Sequence, residues 1–383
     1  MNKLSHHKIA VVGGGPAGAA AALFLSQAGF DVCVFERKIF PREVICGEFL
    51  SGEVADILKQ MNLFDEFNAL NPVKINSFRA INEKGKEISA KINFQSYAIK
   101  RSVFDNFLIK AVKETGAIVY QPAEVKSIEM QNQKYLLKIK TSQSEFDISA
   151  DFVISAYGRQ SILDEKLNRN FVHVKSGFNG VKFHVPNKYF TKSIGGEIRI
   201  YSGRGIYCGL NMVSGSETTL CYLEKQKNNN SGTKKSLLSL CQSNKSFKAL
   251  FNENIQEIIS GLKAYGTGNI YFGRRNVVEN GIFMIGDAAG VIAPLAGDGI
   301  AMALQSARLI SSLLVQYNCG EINYSQLTNL YSKKWRRLFL KRLRTALLIQ
   351  NIILHRKSRT FLQNTTAMFP SLLPKIINAT RGF

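Results

Sequence analysis

Three glycines and one acid near the start of the chain carry the first legible chemistry. Gly13, Gly15 and Gly18 form G-x-G-x-x-G between an apolar run and a helical pattern, with Pro16 and Ala17 inside the turn. In such a turn the first glycine permits the tight bend and the second lets a pyrophosphate reach the backbone. The third lets the helix pack closely on the strand. The free N–H groups and positive dipole end of the helix favour negative charge there. Glu36, about twenty residues after the glycines, can accept from both ribose hydroxyls and disfavours a ribose carrying a 2′-phosphate. Arg37 follows it. Together these residues mark a dinucleotide site.

Two other stretches hold reactive types. In GDAAGVIAPLAGDGI, residues 286–300, Gly286 and Asp287 end a short apolar strand from Ile282 to Ile285, so the Asp287 carboxylate can accept from ligand hydroxyls. After Pro294 a helix opens near Gly299, and the N–H groups from about Gly297 to Ile300 offer a second positive end. In PREVICGEFLSGE, residues 41–53, Cys46 carries a thiol. It could donate a proton if its pKa were tuned, or it simply packs in the tight turn before Gly47. His184 and Tyr207 lie in a β-rich region, where each either lines a substrate cavity or takes a core or surface place. No Ser/His/Asp triad or metal-ligand spacing stands out. The six cysteines are scattered without a C-x-x-C pair, which indicates neither a disulfide framework nor a zinc site.

The elements that must position these residues begin with a βαβ unit: strand Ile9 to Val12, helix Pro16 to Ala28, strand Asp31 to Phe35. Pro41 then breaks the chain, and Ser51 or Gly52 opens a helix to about Asn62. INSFRAINEKGKEISAKINF alternates about a turn at Glu83 to Lys86 and reads as a hairpin. Arg101 precedes a helix with Phe104, Leu108 and Val112 on one face, capped by Ser102 and ended at Gly116. Strands are expected at about 117–121, 123–130, 133–140, 145–149 and 152–156. From Phe171 to about Tyr222, short alternating runs predict an antiparallel domain. KQKNNNSGTKKS follows as an exposed linker, then helices near 235–250 and 254–262. Tyr324 to about Leu354 reads as one long helix, with Leu327, Tyr331, Trp335, Leu338, Leu343, Leu347 and Leu354 near one face. The organisation expected is a nucleotide-binding domain in two parts, 1–170 and 271–320, a β-rich substrate domain, 171–270, and basic C-terminal helices, 321–383.

At 383 residues with 45% hydrophobic composition, the chain is long enough for two well-buried cores. It has no uninterrupted apolar run long enough to span a bilayer, and MNKLSHHK lacks a signal-peptide core. The expectation is a soluble cytoplasmic protein, with peripheral membrane binding as an addition. That addition comes from the charge. The formal net charge is +22, and after Glu321 there is no acid at all, only Lys333, Lys334, Arg336, Arg337, Lys341, Arg342, Arg344, Arg356, Lys357, Arg359, Lys375 and Arg381 among ionisable groups of fixed charge. No recognised nucleic-acid motif accompanies these residues; either they rest on an anionic membrane surface, or the apolar stripe packs on the nucleotide domain and the charges are simply solvated.

Taken together, the motifs resemble the FAD-containing superfamily of aromatic-ring hydroxylases, squalene-type monooxygenases, flavin halogenases and geranylgeranyl reductases, over nearly the whole chain. The resemblance implies an α/β fold: a Rossmann-like FAD-binding domain of the glutathione reductase and aromatic hydroxylase type, an antiparallel β substrate domain and C-terminal helices. It implies that Gly13, Gly15, Gly18 and Glu36 hold the ADP half of FAD, that Arg101 lies near the flavin pyrophosphate ahead of Phe104 and Asp105, and that Val125 lies beside the adenine. It gives Asp287 the ribitol hydroxyls and the Gly297–Ile300 amides the flavin N1 and C2 carbonyl. PREVICGEFLSGE is similar to a P-x-x-x-x-C-G-E segment that lies across the flavin, which makes Arg42, Cys46, Gly47 and Glu48 site candidates.

The chain also departs from the family pattern. Where the hydroxylases carry Asp before Gly158, this chain has Tyr157, although Gly158, Arg159 and Ser161 remain. There is no second glycine fingerprint, so NADPH, NADH and a separate electron donor all stay open. Trp335 is the only tryptophan, so the halogenases' two-tryptophan motif is absent. GIYCGLNMV stands in place of the reductases' Y-x-W-x-F-P. The preferred expectation is a monooxygenase of an apolar small molecule or lipid-like substrate. The alternatives are a double-bond reductase with Cys46 or water as proton source, and a non-catalytic flavoprotein that binds membrane or nucleic acid.

Overall fold

The computed structural model describes residues 5–225, 233–369, 371–379 and 381. The chain opens as β1 (Ser5–Val12), α1 (Pro16–Gln27), β2 (Val32–Phe35), β3 (Phe49–Leu50), α2 (Gly52–Gln60) and α3 (Phe64–Ala69). Next come β4 (Val73–Ile81), β5 (Glu87–Ala98), α4 (Arg101–Glu114), β6 (Ile118–Tyr120), β7 (Glu124–Gln131), β8 (Lys134–Lys140), β9 (Glu145–Ser155) and α5 (Ile162–Lys166). The middle of the chain supplies β10 (Phe178–Pro186), β11 (Glu197–Gly203), β12 (Ile206–Met212), β13 (Glu217–Lys225), α6 (Thr233–Ser243), α7 (Lys245–Lys248), α8 (Ile255–Gly261) and β14 (Tyr265–Thr267). It closes with β15 (Val278–Glu279), β16 (Ile282–Met284), α9 (Gly299–Asn318), α10 (Tyr324–Leu354), α11 (Arg356–Met368) and α12 (Leu372–Ala379).

The first sheet runs β15-β16-β9-β1-β2-β6, and β8 joins it through β9 with β7 beyond. β1 lies parallel to both β2 and β9. The β1–β2 pair needs a crossover, which α1 supplies, and α9 packs against α1. The four consecutive alanines of α1, Ala19 to Ala22, are fully buried, so their small side chains let the helix lie close to its neighbours. The second sheet runs β14-β10-β13-β12-β11-β4-β5-β3, antiparallel except where β4 and β11 pair. The hairpin β4–β5 forms as its alternation predicts, but it belongs to this second sheet. Residues 1–170 therefore feed both sheets.

Several expectations are corrected. The strands expected at 145–149 and 152–156 are one strand, β9. Asp151 does not interrupt it, because His6 and Lys8 of the neighbouring β1 reach its carboxylate at 3.3 and 3.0 Å. Ser102 does not cap α4. Lys100 holds the N-cap position, and the Arg101 N–H instead donates to the Glu48 carboxylate at 2.9 Å. The helix expected at 235–250 is two, because Asn244 ends the first and caps the second by accepting from the Phe247 N–H. α10 spans the expected residues, but Leu338 is 44% exposed and Phe339 is buried in its place. Most of the expected linker falls on 226–232, outside the described residues.

Candidate flavin and substrate site

The glycine turn between β1 and α1 is tight at two points and open at one. Gly13 has φ +105°, and a Cβ there would lie 2.5 Å from the Ala156 carbonyl oxygen. A Cβ on Gly18 would lie 1.8 Å from the Gly13 oxygen. Gly15 has an ordinary φ of −69°, and its Cβ would meet only the Arg42 Nη2, at 3.5 Å. The protein itself thus demands glycine at 13 and 18. At 15 the demand comes from whatever fills the space in front.

That space is bordered by an alternating set of charges. Glu36 accepts from the Gly14 N–H at 2.9 Å and the Lys38 N–H at 3.0 Å, which fixes its carboxylate at the end of β2. Arg42 bridges Glu36 and Asp105, each at 3.4 Å, and its guanidinium lies over the Phe40 ring. Asp105 also holds Arg101 through two bonds of 2.6 and 2.8 Å. Burial would lower the Arg101 pKa, but Asp105 and the Cys46 sulfur outweigh it and push the guanidinium further up. The Arg42 Nε is buried without a partner.

Cys46 and Glu48 sit on the loop before β3. The Cys46 Sγ accepts from the Glu48 N–H at 3.3 Å and lies against the Arg101 guanidinium. Glu48 adopts φ +59°, which turns its side chain away from the flavin turn into the second sheet. There its carboxylate accepts from Lys182 Nζ at 2.9 Å, the His184 ring at 2.7 Å and the Thr219 hydroxyl, as well as from the Arg101 N–H. Burial alone would raise this carboxyl, but the His184 bond and the Lys182 charge outweigh it and hold the group at about 2. Glu48 is therefore a post between the second sheet and the start of α4, and His184 braces it and does not line the cavity. Glu43, Glu48 and His184 come close enough together to suggest a cation site. The Lys182 ammonium already stands there, 2.6 Å from Glu43 and 2.9 Å from Glu48.

On the return to the first sheet, Gly286 takes φ +58° with Ala17 behind it, and its N–H donates to the Ser306 hydroxyl at 3.0 Å. The Asp287 carbonyl accepts from Arg275, whose guanidinium lies over the Phe171 ring and is lowered to about 10 by burial and by Arg169. Gly297 has φ +63° with Phe49 packed beside it. The next residue, Asp298, is fully buried between Ser51, Arg342 and Arg381. Burial and the neighbouring Glu53 raise its carboxyl to about 6, against the pull of the two arginines. Tyr157, standing where the hydroxylases have Asp, donates to Asp164 at 2.8 Å and accepts from Arg169 at 3.0 Å.

All the site residues expected from the sequence, except Gly18, line one cavity of about 530 Å³: Gly13, Gly15, Pro16, Ala17, Glu36, Arg37, Arg42, Cys46, Gly47, Glu48, Arg101, Val125, Gly286, Asp287, Pro294, Gly297, Gly299 and Ile300. Gly18 lies behind the turn. The cavity continues beneath the second sheet, where Phe78, Ala80, Ile198, Ile200 and Leu223 face Ile349, Ile353, Leu362, Leu373 and Ile376 of the C-terminal helices. Tyr207 also lines it, with its hydroxyl on Gln350 at 3.0 Å. Asn211 stands in this apolar end, 4% exposed, with its Nδ2 unpartnered.

Sequence reading missed Lys182, Thr219 and Asn211. A signal for Lys182 was present: it and His184 alternate with Val181, Phe183 and Val185 in a strand that is buried on both faces. Trp335 packs edge-on against Phe339 in the core, away from the cavity.

The residues present fit FAD. The Gly15 cradle is open, the buried Arg42 Nε lacks a partner beside it, and one cavity joins this nucleotide end to an apolar chamber.

Comparison with known proteins agrees. A tryptophan 2-halogenase of Chondromyces crocatus is 24% identical over 358 residues, 89% of this chain and 67% of that protein. The crystal structure of p-nitrophenol 4-monooxygenase from Pseudomonas putida superposes with TM-score 0.76 at 15% identity, over 99% of this chain and 100% of that one. A geranylgeranyl bacteriochlorophyll reductase-like protein of Thermoplasma acidophilum gives TM-score 0.74 at 18% identity, over 92% of this chain and 88% of that one. With residues 6–342 matching the model of the FAD binding domain family, the chain belongs to that family of FAD-dependent oxidoreductases.

Proposed function

We propose that the protein is a flavoprotein monooxygenase acting on an apolar small molecule or lipid-like substrate, with NADPH or NADH as reductant. The observation that carries this reading over the reductase is the set of bonds on Cys46. Its sulfur accepts from the Glu48 N–H and faces the Arg101 guanidinium, a group with only donors, so its lone pairs are engaged by fixed donors and no acceptor is aimed at the thiol, which favours the reading that gives it no acid role. The halogenase activity of the curated relative is disfavoured by the placement of the only tryptophan, Trp335, in the core.

Bound FAD would supply two-electron chemistry with O₂. The chain's own part is to hold and to dry. Gly13 to Ala17, Glu36, Arg42 and Arg101 would bind the nucleotide half, Asp287 the ribitol, and the Gly297–Ile300 amides the pyrimidine edge. Phe78, Ile198, Ile200 and Leu223 exclude water from the substrate. Asn211 offers an unpartnered carboxamide nitrogen in the cavity wall, which suits a substrate with a polar handle.

The test is anaerobic reduction of the FAD-loaded protein by NADPH or NADH, followed by ¹⁸O₂ and chloride, with apolar aromatic and isoprenoid compounds present. A product carrying one heavy oxygen supports the proposal. A saturated product, or a halogenated one, overturns it. Cys46→Ala should lower oxygenation by less than about threefold, whereas removing a general acid costs about 10²–10⁴. Asn211→Leu should raise KM about tenfold with kcat little changed, as expected for a lost hydrogen bond made equally in ground and transition states.

A further inference from the structure

α11 is built inside out. Its buried side carries Arg359, Gln363 and Thr366, and the first two bond Glu83, the Gly203 carbonyl and Asn82. Phe361 and Met368, on its outer side, are 74% and 73% exposed, and Phe369 at its end is 54% exposed. A helix facing only water places its apolar residues the other way round. The inner surfaces of the same segment, through Leu362 on α11 and Leu373 and Ile376 on α12, wall the cavity. The charge of the segment is of one sign, with no acid after Glu321. Among the basic residues after Glu321, Arg342, Arg356, Arg359 and Arg381 pair with Asp298 or Glu83. The others, such as Lys333, Arg337, Lys341 and Lys357, are exposed and make no ion pair among the described residues.

We propose that the C-terminal helices dock on the anionic surface of a bilayer, with Phe361, Met368 and Phe369 entering the acyl boundary. An apolar substrate then passes beside α11 and α12 into the cavity. An anionic bilayer is the occupant because it alone supplies both complements found here, acyl chains for the exposed rings and negative headgroups for unpaired cations with no acid among them. The docking stands on the surface alone, whereas the passage of substrate rests on the apolar-substrate reading above.

The experiment is flotation of the full-length, FAD-loaded protein with vesicles of phosphatidylcholine, with and without a quarter of phosphatidylglycerol. Binding should be at least about tenfold stronger to the anionic vesicles and should weaken with salt. The triple variant Phe361→Ser, Met368→Ser, Phe369→Ser should lose about tenfold in binding while flavin content and melting temperature hold, since all three side chains are exposed. Charge reversal by Lys333→Glu with Arg337→Glu gives a second, independent loss. Equal binding to neutral vesicles, no binding, or an undiminished triple variant would overturn the proposal. So would a triple variant whose only change is loss of self-association, since the occupant is then a second copy. Docking without any oxygenated product would instead count against the proposed function alone.

Discussion

Replacing Gly15 by valine is expected to give a folded but colourless protein. A Cβ at this position meets only the far end of the Arg42 side chain, at 3.5 Å, so the apo fold has room for it. The added methyls occupy the space where a pyrophosphate must reach the backbone N–H groups. Losing two or more charge-assisted bonds at about 1.5–3 kcal/mol each lowers FAD affinity by more than about a hundredfold. Fluorescence titration of apoprotein with FAD measures it, and the melting temperature of the apo variant should match apo wild type. Gly18→Val provides the contrast. Its side chain would collide with the Gly13 carbonyl at 1.8 Å, so it should fail to fold and not merely fail to bind. Gly15→Val protein that purifies fully yellow would sink the cradle assignment.

Glu48→Ala should be the most destabilising single change at the site. It leaves the buried Lys182 ammonium with only Glu43, and removing one partner of a buried pair costs about 3–5 kcal/mol. Urea unfolding measures the loss, and adding Lys182→Met should restore part of it. The pH dependence has a definite sign. The carboxyl sits at about 2 in the fold against an ordinary 4.5, so its stabilisation is complete above pH 4.5 and is lost as pH falls toward 2. The variant should lack this acid limb. If it instead shows the wild-type decline across that window, Glu48 is not the group responsible.

The parts of this protein that could be read from sequence are those whose causes are local. The turn from Gly13 to Gly18 and the acid at Glu36 lie within one βαβ unit, and α10 shows its period along its length except at Leu338. Glu48 was legible as a site residue but not in its role, because its donors come from Lys182, His184 and Thr219 on strands far along the chain. The same holds for the hairpin β4–β5. Its alternation declared it, yet its sheet is decided by β11, which pairs Glu197 with Ser77. The run FLQNTTAMFPSLLPKII reads as exposing Phe, Met and Leu, and Phe361, Met368 and Phe369 are exposed while Leu373 is buried; the inward turn of Arg359 and Gln363 has no signal in the hydrophobic pattern, which assumes that apolar residues point inward.

The interleaving of the two sheets bears on how such a protein can be altered. The second sheet is assembled from residues 49–98, from 178–225 and from 265–267, with four strands of the first sheet threaded between the first two of these segments. It is not a cassette. A chimaera that exchanged only the middle segment would inherit β11 without its own β4 and would lose the register from Ser77 to Ile81. New specificity on this scaffold is therefore reached more readily by point changes at Ile198, Ile200, Asn211 or Leu223 than by transplanting a contiguous block.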